Sequence, residues 1–332
     1  MKRISTVLLL AGLALGPSVR SEDQPNGRLK SPPLFPAMTG AAFVAAASAG
    51  NLSMLNFLYA AGIHPDATST EGVTALIAAS LNGRREVVQR LLEWRADPNK
   101  PSATGFSPLM AAASEGHTEI ARLLIAQGAV LEASDQDGLT ALMSAAVANR
   151  LETVRFLLES GAKANAADKD GFTALIYAAS EGYPECVELL LEHGADPSAV
   201  TKTGWNSLMA AAGDGHLGIV NSLLKRGVAV DTRNPYGWTA LLYAISGRHP
   251  PVIRALLEAG ADVNIPSGNG VTGLMVAARG GSVEMVKLLL EACADPTPAT
   301  PNGNTALSIA QREGHAEIAK LLEEAVASRS AK

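Results

Sequence analysis

Histidine and cysteine do most of the acid–base, metal-binding and redox chemistry open to a side chain near neutral pH, so their placement shows what this chain can do. His117, His216 and His315 recur at equal intervals, with His249 following His216. A zinc site needs three or four ligands converging on one point, and two histidines without a further ligand set make a poor one. Cys186 and Cys293 are the two cysteines. A disulfide between them would require Cα atoms within about 7 Å. The chain contains no G-x-S-x-G, no H-E-x-x-H and no glycine-rich phosphate loop opening a helix after a strand. Without a nucleophile and base to bring together, the expectation is no enzyme, no cofactor and no metal. Recognition chemistry remains. Seven of the 14 aromatic residues (Phe172, Tyr177, Tyr183, Trp205, Tyr236, Trp238 and Tyr243) fall between positions 172 and 243.

The elements that position these residues emerge from a search for a fixed period. Stepping by 33 residues from "GFTAL" at Gly171 finds "GVTAL" at Gly72, "GFSPL" at Gly105, "GLTAL" at Gly138, "GWNSL" at Gly204, "GWTAL" at Gly237, "GVTGL" at Gly270 and "GNTAL" at Gly303. No insertion or deletion breaks the register. A divergent unit, "GAAFVAAASAGNLSMLNFLYAAG" from Gly40, lies one period upstream and makes nine.

Each unit follows one plan. Thr173 can cap a helix, and Ala174, or Pro108 in another unit, takes the first helical position. Leu175, Ala178 and Ala179 lie on one face, small enough for a neighbouring helix to approach closely. Gly182 ends that helix in a left-handed conformation and Pro184 opens a second. There, Val187, Leu190 and Leu191 form the buried stripe while Glu185, Glu188 and Glu192 stay in water. A single unit cannot bury both stripes, so the units must stack. At helix spacings of roughly 8–10 Å, nine would make a curved rod on the order of 80 Å long.

In this order of residues the chain resembles the ankyrin repeats. Its units carry a similar G-x-T-P-L, A-A-x-x-G-H, L-L-x-x-G-A-D succession from about residue 38 to 327, most closely in "GFSPLMAAASEGHTEIARLLIAQGA" from Gly105. The resemblance implies an all-α solenoid of stacked helix–turn–helix units with β-turn fingers, which binds partners through the finger tips and concave face. It also implies that His117, His216 and His315 sit at the loop between the two helices. Two departures stand out. The histidine usual after the Leu is replaced by Ile77, Met110, Met143, Ile176, Met209, Leu242, Met275 and Ser308, turning a hydrogen-bonding row into a largely apolar one. Arg95 and Cys293 stand where a second helix usually ends in Gly, so each either takes a positive φ or shifts the turn. Arg95→Gly and Cys293→Gly are expected to be neutral to stabilising.

The period settles the earlier questions. Histidines three units apart lie roughly 30 Å from one another, too far to share a metal, and are expected to be structural. Cys186 falls on the buried face of a second helix and Cys293 at a helix end three units later, which predicts no disulfide. Asn51-Leu52-Ser53 matches a glycosylation sequon, read as chance. The aromatics occupy two columns. One follows the turn glycine (Phe172, Trp205, Trp238), and the other is the slot that faces the groove in the similar family (Tyr177, Tyr243). Either they pack on neighbouring turns to stiffen the stack, or with Glu181 and Asp214 on their rim they form a recognition surface.

Composition fits this picture. Hydrophobic residues make up 47% and aromatics only 4%, and an apolar fraction dominated by Ala and Leu favours closely packed helices over sheets. A formal charge of −5 with both signs interspersed offers no basic stripe for a phosphate backbone, so nucleic acid is not an expected partner. Residues 1–21, "MKRISTVLLLAGLALGPSVRS", have the build of a secretory signal peptide: Lys2 and Arg3, an apolar core too short to span a bilayer, then small residues before Glu22. Its cleavage would remove three basic residues and no acidic one, taking the charge to −8. Residues 22–37, rich in Pro and polar residues, read as a flexible leader, 38–327 as the solenoid and 328–332 as a C-terminal tail. The first repeat is almost without charge and could be covered by the leader, a partner or a second copy.

The sequence therefore predicts an exported, periplasmic or extracellular, non-catalytic monomer with no stable membrane insertion after cleavage. Its expected partner is another protein, bound through Phe172, Tyr177, Glu181, Trp205, Asp214, Tyr236, Trp238 and Tyr243. The alternative is a small ligand or cell-wall sugar stacked in an aromatic groove.

Overall fold

A computed structural model describes residues 39–330. The expected signal peptide (1–21), the leader (22–37) and the last two residues of the tail lie outside the described residues. Within them the chain forms 18 α-helices in nine pairs and no sheet. It divides into two compact units, one up to Asp168 and one from Lys169.

The unit up to Asp168 holds four pairs: α1 (Gly40–Ala49) with α2 (Leu52–Ala60), α3 (Ala75–Leu81) with α4 (Arg85–Glu93), α5 (Pro108–Glu115) with α6 (Thr118–Ala126), and α7 (Ala141–Val147) with α8 (Leu151–Glu159). The unit from Lys169 holds five: α9 (Ala174–Glu181) with α10 (Pro184–Glu192), α11 (Ser207–Gly213) with α12 (Leu217–Lys225), α13 (Ala240–Gly247) with α14 (Pro250–Glu258), α15 (Gly273–Gly280) with α16 (Val283–Glu291), and α17 (Ala306–Arg312) with α18 (Ala316–Ser330). Inside each unit every first helix packs against the first helix of the next pair.

The capping plan read from the sequence holds. Thr173 Oγ1 accepts the Ile176 amide at 3.3 Å, Thr74 that of Ile77 at 3.1 Å, and Asn206, which replaces Thr, that of Met209 at 2.8 Å. Gly182 closes α9 at φ 78°, and Pro184 is the first residue of α10. The row that lacks histidine is core: Ile77, Met110, Met143, Ile176, Met209, Leu242 and Met275 are buried. Ser308 breaks the row and completes a reciprocal cap with Thr305. Asn51 of the sequon caps α2 through Oδ1, accepting from the Met54 amide at 3.0 Å.

Arg95 and Cys293 take the positive φ, at 62° and 64°. Asn149 and Arg248 do likewise at 54° and 61°, at the turn between the two helices, which the sequence reading missed. The final helix runs on through most of the segment expected as a tail. Its Arg329 pairs with Asp295 at 2.8 Å and donates to the Cys293 carbonyl at 3.3 Å, clamping a turn that lacks glycine.

Between pairs the chain makes short fingers closed at the base by local backbone bonds, such as Ser102 N to Phe106 O at 2.9 Å and Asn234 N to Trp238 O at 3.0 Å. Isolated antiparallel bridges join Thr68 with Thr74, Ser134 with Thr140, Val200 with Asn206 and Ala299 with Thr305. Neighbouring fingers are tied by single amide bonds, Lys202 N to Asp170 O at 2.8 Å and Gly268 N to Tyr236 O at 2.7 Å. Within the unit from Lys169 these bonds hold neighbouring fingers in register, and a column of side chains along them becomes a continuous feature.

Candidate binding surface

The unit from Lys169 brings the two aromatic columns together. Phe172 stacks on Tyr177 (centroids 5.1 Å apart, planes at 26°) and meets Trp205 edge-on at 6.3 Å. Trp205 meets Tyr243 edge-on at 6.1 Å, and Tyr243 leans on Trp238 at 5.1 Å. Five rings from three successive repeats form one unbroken row. The register explains its order. With Ala210 in the helix slot of its own repeat, Trp205 has room to touch rings of both neighbours.

All five rings are half-buried. Phe172, Trp205 and Trp238 each pack against at least one other ring of the row, and such pairs are worth about 0.5–1.5 kcal/mol each beyond area burial. Tyr236 differs. At a finger tip next to the row, it is 68% exposed. Trp205 also has a cost: its Nε1 proton is buried without an acceptor among the described residues, a penalty of roughly 1–3 kcal/mol.

Charge sits at the ends of the first helices. Glu181, the last residue of α9, is half-buried, and Asp214, which caps the C-terminus of α11, is exposed. Burial first, and Asp214 second, push the Glu181 carboxyl above its ordinary value, with His216 pulling the other way. The site therefore holds two neighbouring carboxylates on which a cation would relieve repulsion.

Sequence reasoning missed Asn234, which organises the third of these fingers. Its Oδ1 accepts the amides of Tyr236 (3.0 Å) and Trp238 (2.9 Å), and its Nδ2 donates to the Tyr243 hydroxyl at 2.9 Å. Burial moves the Tyr243 phenol above its usual value, outweighing this hydrogen bond, which pulls it down. The signal lay in the repeat: Ser69, Ser102, Asp135, Asp168, Thr201, Ser267 and Thr300 stand at equivalent positions, and among them Asn234 alone has both an acceptor and a donor amide.

Three of the histidines, His117, His216 and His249, link successive repeats. His117 Nε2 donates to the Leu81 carbonyl at 3.2 Å, His216 to that of Ser180 at 3.2 Å and His249 to that of Gly213 at 3.0 Å, each joining its repeat to the preceding one. Arg84 and Arg150 make the equivalent bond through Nε, to the Ser48 and Ser114 carbonyls, both at 3.0 Å. The ring lies so close that a Cβ on Gly83 would stand 2.7 Å from His117 Cε1. That glycine is therefore required by packing as well as by its φ of 69°. Cys186 is fully buried and its thiol is pushed up to about 12 by desolvation, which leaves it unreactive, while Cys293 is exposed.

A second aromatic group lies in the unit up to Asp168, where Tyr59 stacks on Trp94 (3.9 Å, 8°) and Phe43 packs near Trp94 at 6.5 Å. Tyr59 and Trp94 come from second-helix ends and Phe43 from the first helix, outside the two columns followed in the sequence. Among the described residues no helix is long and apolar enough to cross a membrane.

A family model described as ankyrin repeats, three copies per match, aligns to residues 42–135, 127–201, 198–267 and 264–328. No curated protein matches the chain.

Proposed function

The chain belongs to the ankyrin-repeat family, and from that premise we propose that it is a non-catalytic scaffold that binds a partner protein on the finger and groove side of its repeats. Ankyrin repeats generally serve as protein–protein interaction modules, presenting an extended surface rather than a catalytic pocket. The observation that carries the finer reading is the five-ring row with exposed Tyr236 at its edge and Glu181 and Asp214 on its rim. In this reading the mutually packed rings make a rigid platform. Tyr236 supplies the exposed anchor, and the carboxylate pair selects a partner with a cationic group opposite it. The buried, unpaired indole N–H of Trp205 supports a role beyond stability, since a packing residue chosen for stability alone would not carry that penalty. Ring faces already covered by neighbouring rings suit a protein contact better than a stacked sugar.

The test selects binders from a displayed peptide library against the protein and compares them on Tyr236→Ala and Glu181→Gln/Asp214→Asn variants. Basic binders that lose at least about tenfold in affinity on both variants support the reading. Binders indifferent to both remove this surface from consideration.

The same reading has the chain exported as a monomer, on the strength of the N-terminal basic–apolar–small succession. N-terminal sequencing of the secreted product, expected to begin at Glu22, tests it, and retention of Met1 in the cell-associated fraction would refute it.

A further inference from the structure

The last two repeats share the finger and helix positions of the ring row but fill them differently. Val271 and Asn304 stand where Phe172, Trp205 and Trp238 stand, and Ile309 where Tyr177 and Tyr243 do. Smaller side chains leave an open groove of about 400 Å³, with Val271 and Ile309 among its lining. Arg279 and Arg312 border it from equivalent positions at the ends of two successive first helices, and the amides of Asn269, Asn302 and Asn304 face it from the fingers. In this acidic chain, the equivalent helix-end positions of the earlier repeats hold Leu81, Ser114, Val147, Ser180, Gly213 and Ser246. Two consecutive arginines there make a local reversal of charge.

The two guanidinium groups are not equally engaged. Arg312 donates to Glu313 Oε1 at 3.1 Å and 3.3 Å, and to Asn304 Oδ1 at 3.4 Å. Arg279 is exposed, and no hydrogen bond or ion pair holds it among the described residues. A third guanidinium, that of Arg248, lies against Gly280, which follows Arg279 in the chain.

We propose that this groove binds a carboxylate-bearing peptide segment, with Arg279 taking the carboxylate, Arg312 assisting it, and the asparagine amides pairing with the peptide backbone over Val271 and Ile309. The donor fork of an arginine matches a carboxylate in two parallel bonds. The Nδ2 groups of the asparagines offer donors to a peptide unit, the Oδ1 atoms of Asn269 and Asn304 already accepting from Ser267 and Arg312, and the side chains of Val271, Pro301 and Ile309 in an otherwise polar lining favour a chain with alternating apolar side chains over a bare phosphate. Inference and ring row both rest on the repeats being a binding surface, but they use different residues and opposite charge.

The experiment measures fluorescence anisotropy of a labelled, C-terminally amidated peptide alternating aspartate and leucine, beside an amidated asparagine–leucine control and an asparagine–leucine peptide with a free C-terminus. Saturable binding of either carboxylate-bearing peptide, and not of the control, is expected, and which one binds assigns the carboxylate to side chain or chain end. Binding should weaken about tenfold or more in Arg279→Gln. It should weaken with added salt, strengthen in Glu313→Gln, which releases Arg312, and perturb the Val271 and Ile309 methyl resonances. Tyr236→Ala should leave it unchanged, so failure of the ring row and failure of the groove are told apart. Arg279 is exposed, so its replacement should keep the melting temperature. Were Arg279→Gln unstable all the same, Glu313→Gln would carry the test. Equal binding of the amidated control, indifference to both variants, or complete displacement by an equimolar amount of inorganic phosphate overturns the proposal.

Discussion

The repeats from Gly171 to Asn269 and those from Gly270 onward are built on one backbone plan, yet they present opposite surfaces. In the first group, aromatic residues after the turn glycine and in the first helix fill the space between fingers and helices, and the charges at its edge are Glu181 and Asp214. In the second, valine, asparagine and isoleucine at the same places leave about 400 Å³ open, and the charges at its edge are Arg279 and Arg312. A solenoid separates two tasks that a globular fold entangles. The buried stripes and capped turns secure the stack, and a few positions per repeat vary freely above them.

The harshest way to break this contrast is to hollow out the ring row. Trp205→Ala removes the contacts to Phe172 and Tyr243, and a half-buried indole deleted from a packed row should cost about 2–3 kcal/mol despite relieving its unpaired N–H. Thermal denaturation should show the loss, with hydrogen exchange rising first in fingers 198–206 and 231–239. An unchanged melting temperature would mean that the rings do not act as a unit.

Asn234→Ala comes next. It unpairs two finger amides and the Tyr243 hydroxyl, at partly exposed sites, for roughly 1–2 kcal/mol. Asn234→Asp keeps the acceptor for both amides and should recover most of the stability while the Tyr243 ring fluorescence still changes. If Asp is as damaging as Ala, the finger amides are not what Asn234 holds.

A sharper comparison exchanges the surfaces. Val276 occupies the helix slot of Tyr177 and Tyr243 beside the groove and is half-buried, so Val276→Tyr should narrow the groove and reduce acidic-peptide binding while moving stability by less than about 1 kcal/mol. Tight binding retained in that variant would place the peptide elsewhere. Arg248→Gly lies between the two regions. Relief of its left-handed φ of 61° should stabilise by up to about 1 kcal/mol, the sign also expected for Arg95→Gly and Cys293→Gly. A clear fall in melting temperature would show that the arginine's contact with Gly280 outweighs the strain.

The smallest effect concerns pH. The Glu181 carboxyl is raised by burial and by Asp214, so the folded state holds this proton more tightly than the unfolded chain does. Its contribution is favourable at low pH and is lost as pH climbs from the ordinary value of 4.5 through the raised one. Glu181→Gln should match the parent in acid and be slightly more stable at neutral pH. A variant less stable at neutral pH would indicate that His216 outweighs burial and Asp214 together.

Much of the fold was legible because a repeat states its rules many times. The 33-residue register, the Thr caps, Gly182 with Pro184, and the apolar row from Ile77 to Met275 all follow from local chemistry and periodicity, and each stands where the sequence put it. Arg95 and Cys293 were legible for the same reason, as exceptions to a pattern. Asn149 and Arg248 break the other glycine column in the same way and were overlooked. The candidate site was legible as a set of residues but not as a geometry. Which ring touches which depends on side-chain volume across neighbouring repeats, as Ala210 shows beside Trp205, and the sequence pattern therefore leaves packing and recognition side by side as readings of the same rings.

By itself the sequence determined the helix pairs, their caps, their buried stripes and the family, since each is fixed by neighbours in the chain or by strict recurrence. Only the tertiary structure decided the ring row, the bonds of Asn234, the histidine links between repeats and the arginine-bordered groove. Those depend on how side chains a full repeat apart share the space between stacked fingers, and shared space is a property of three dimensions that no local pattern records.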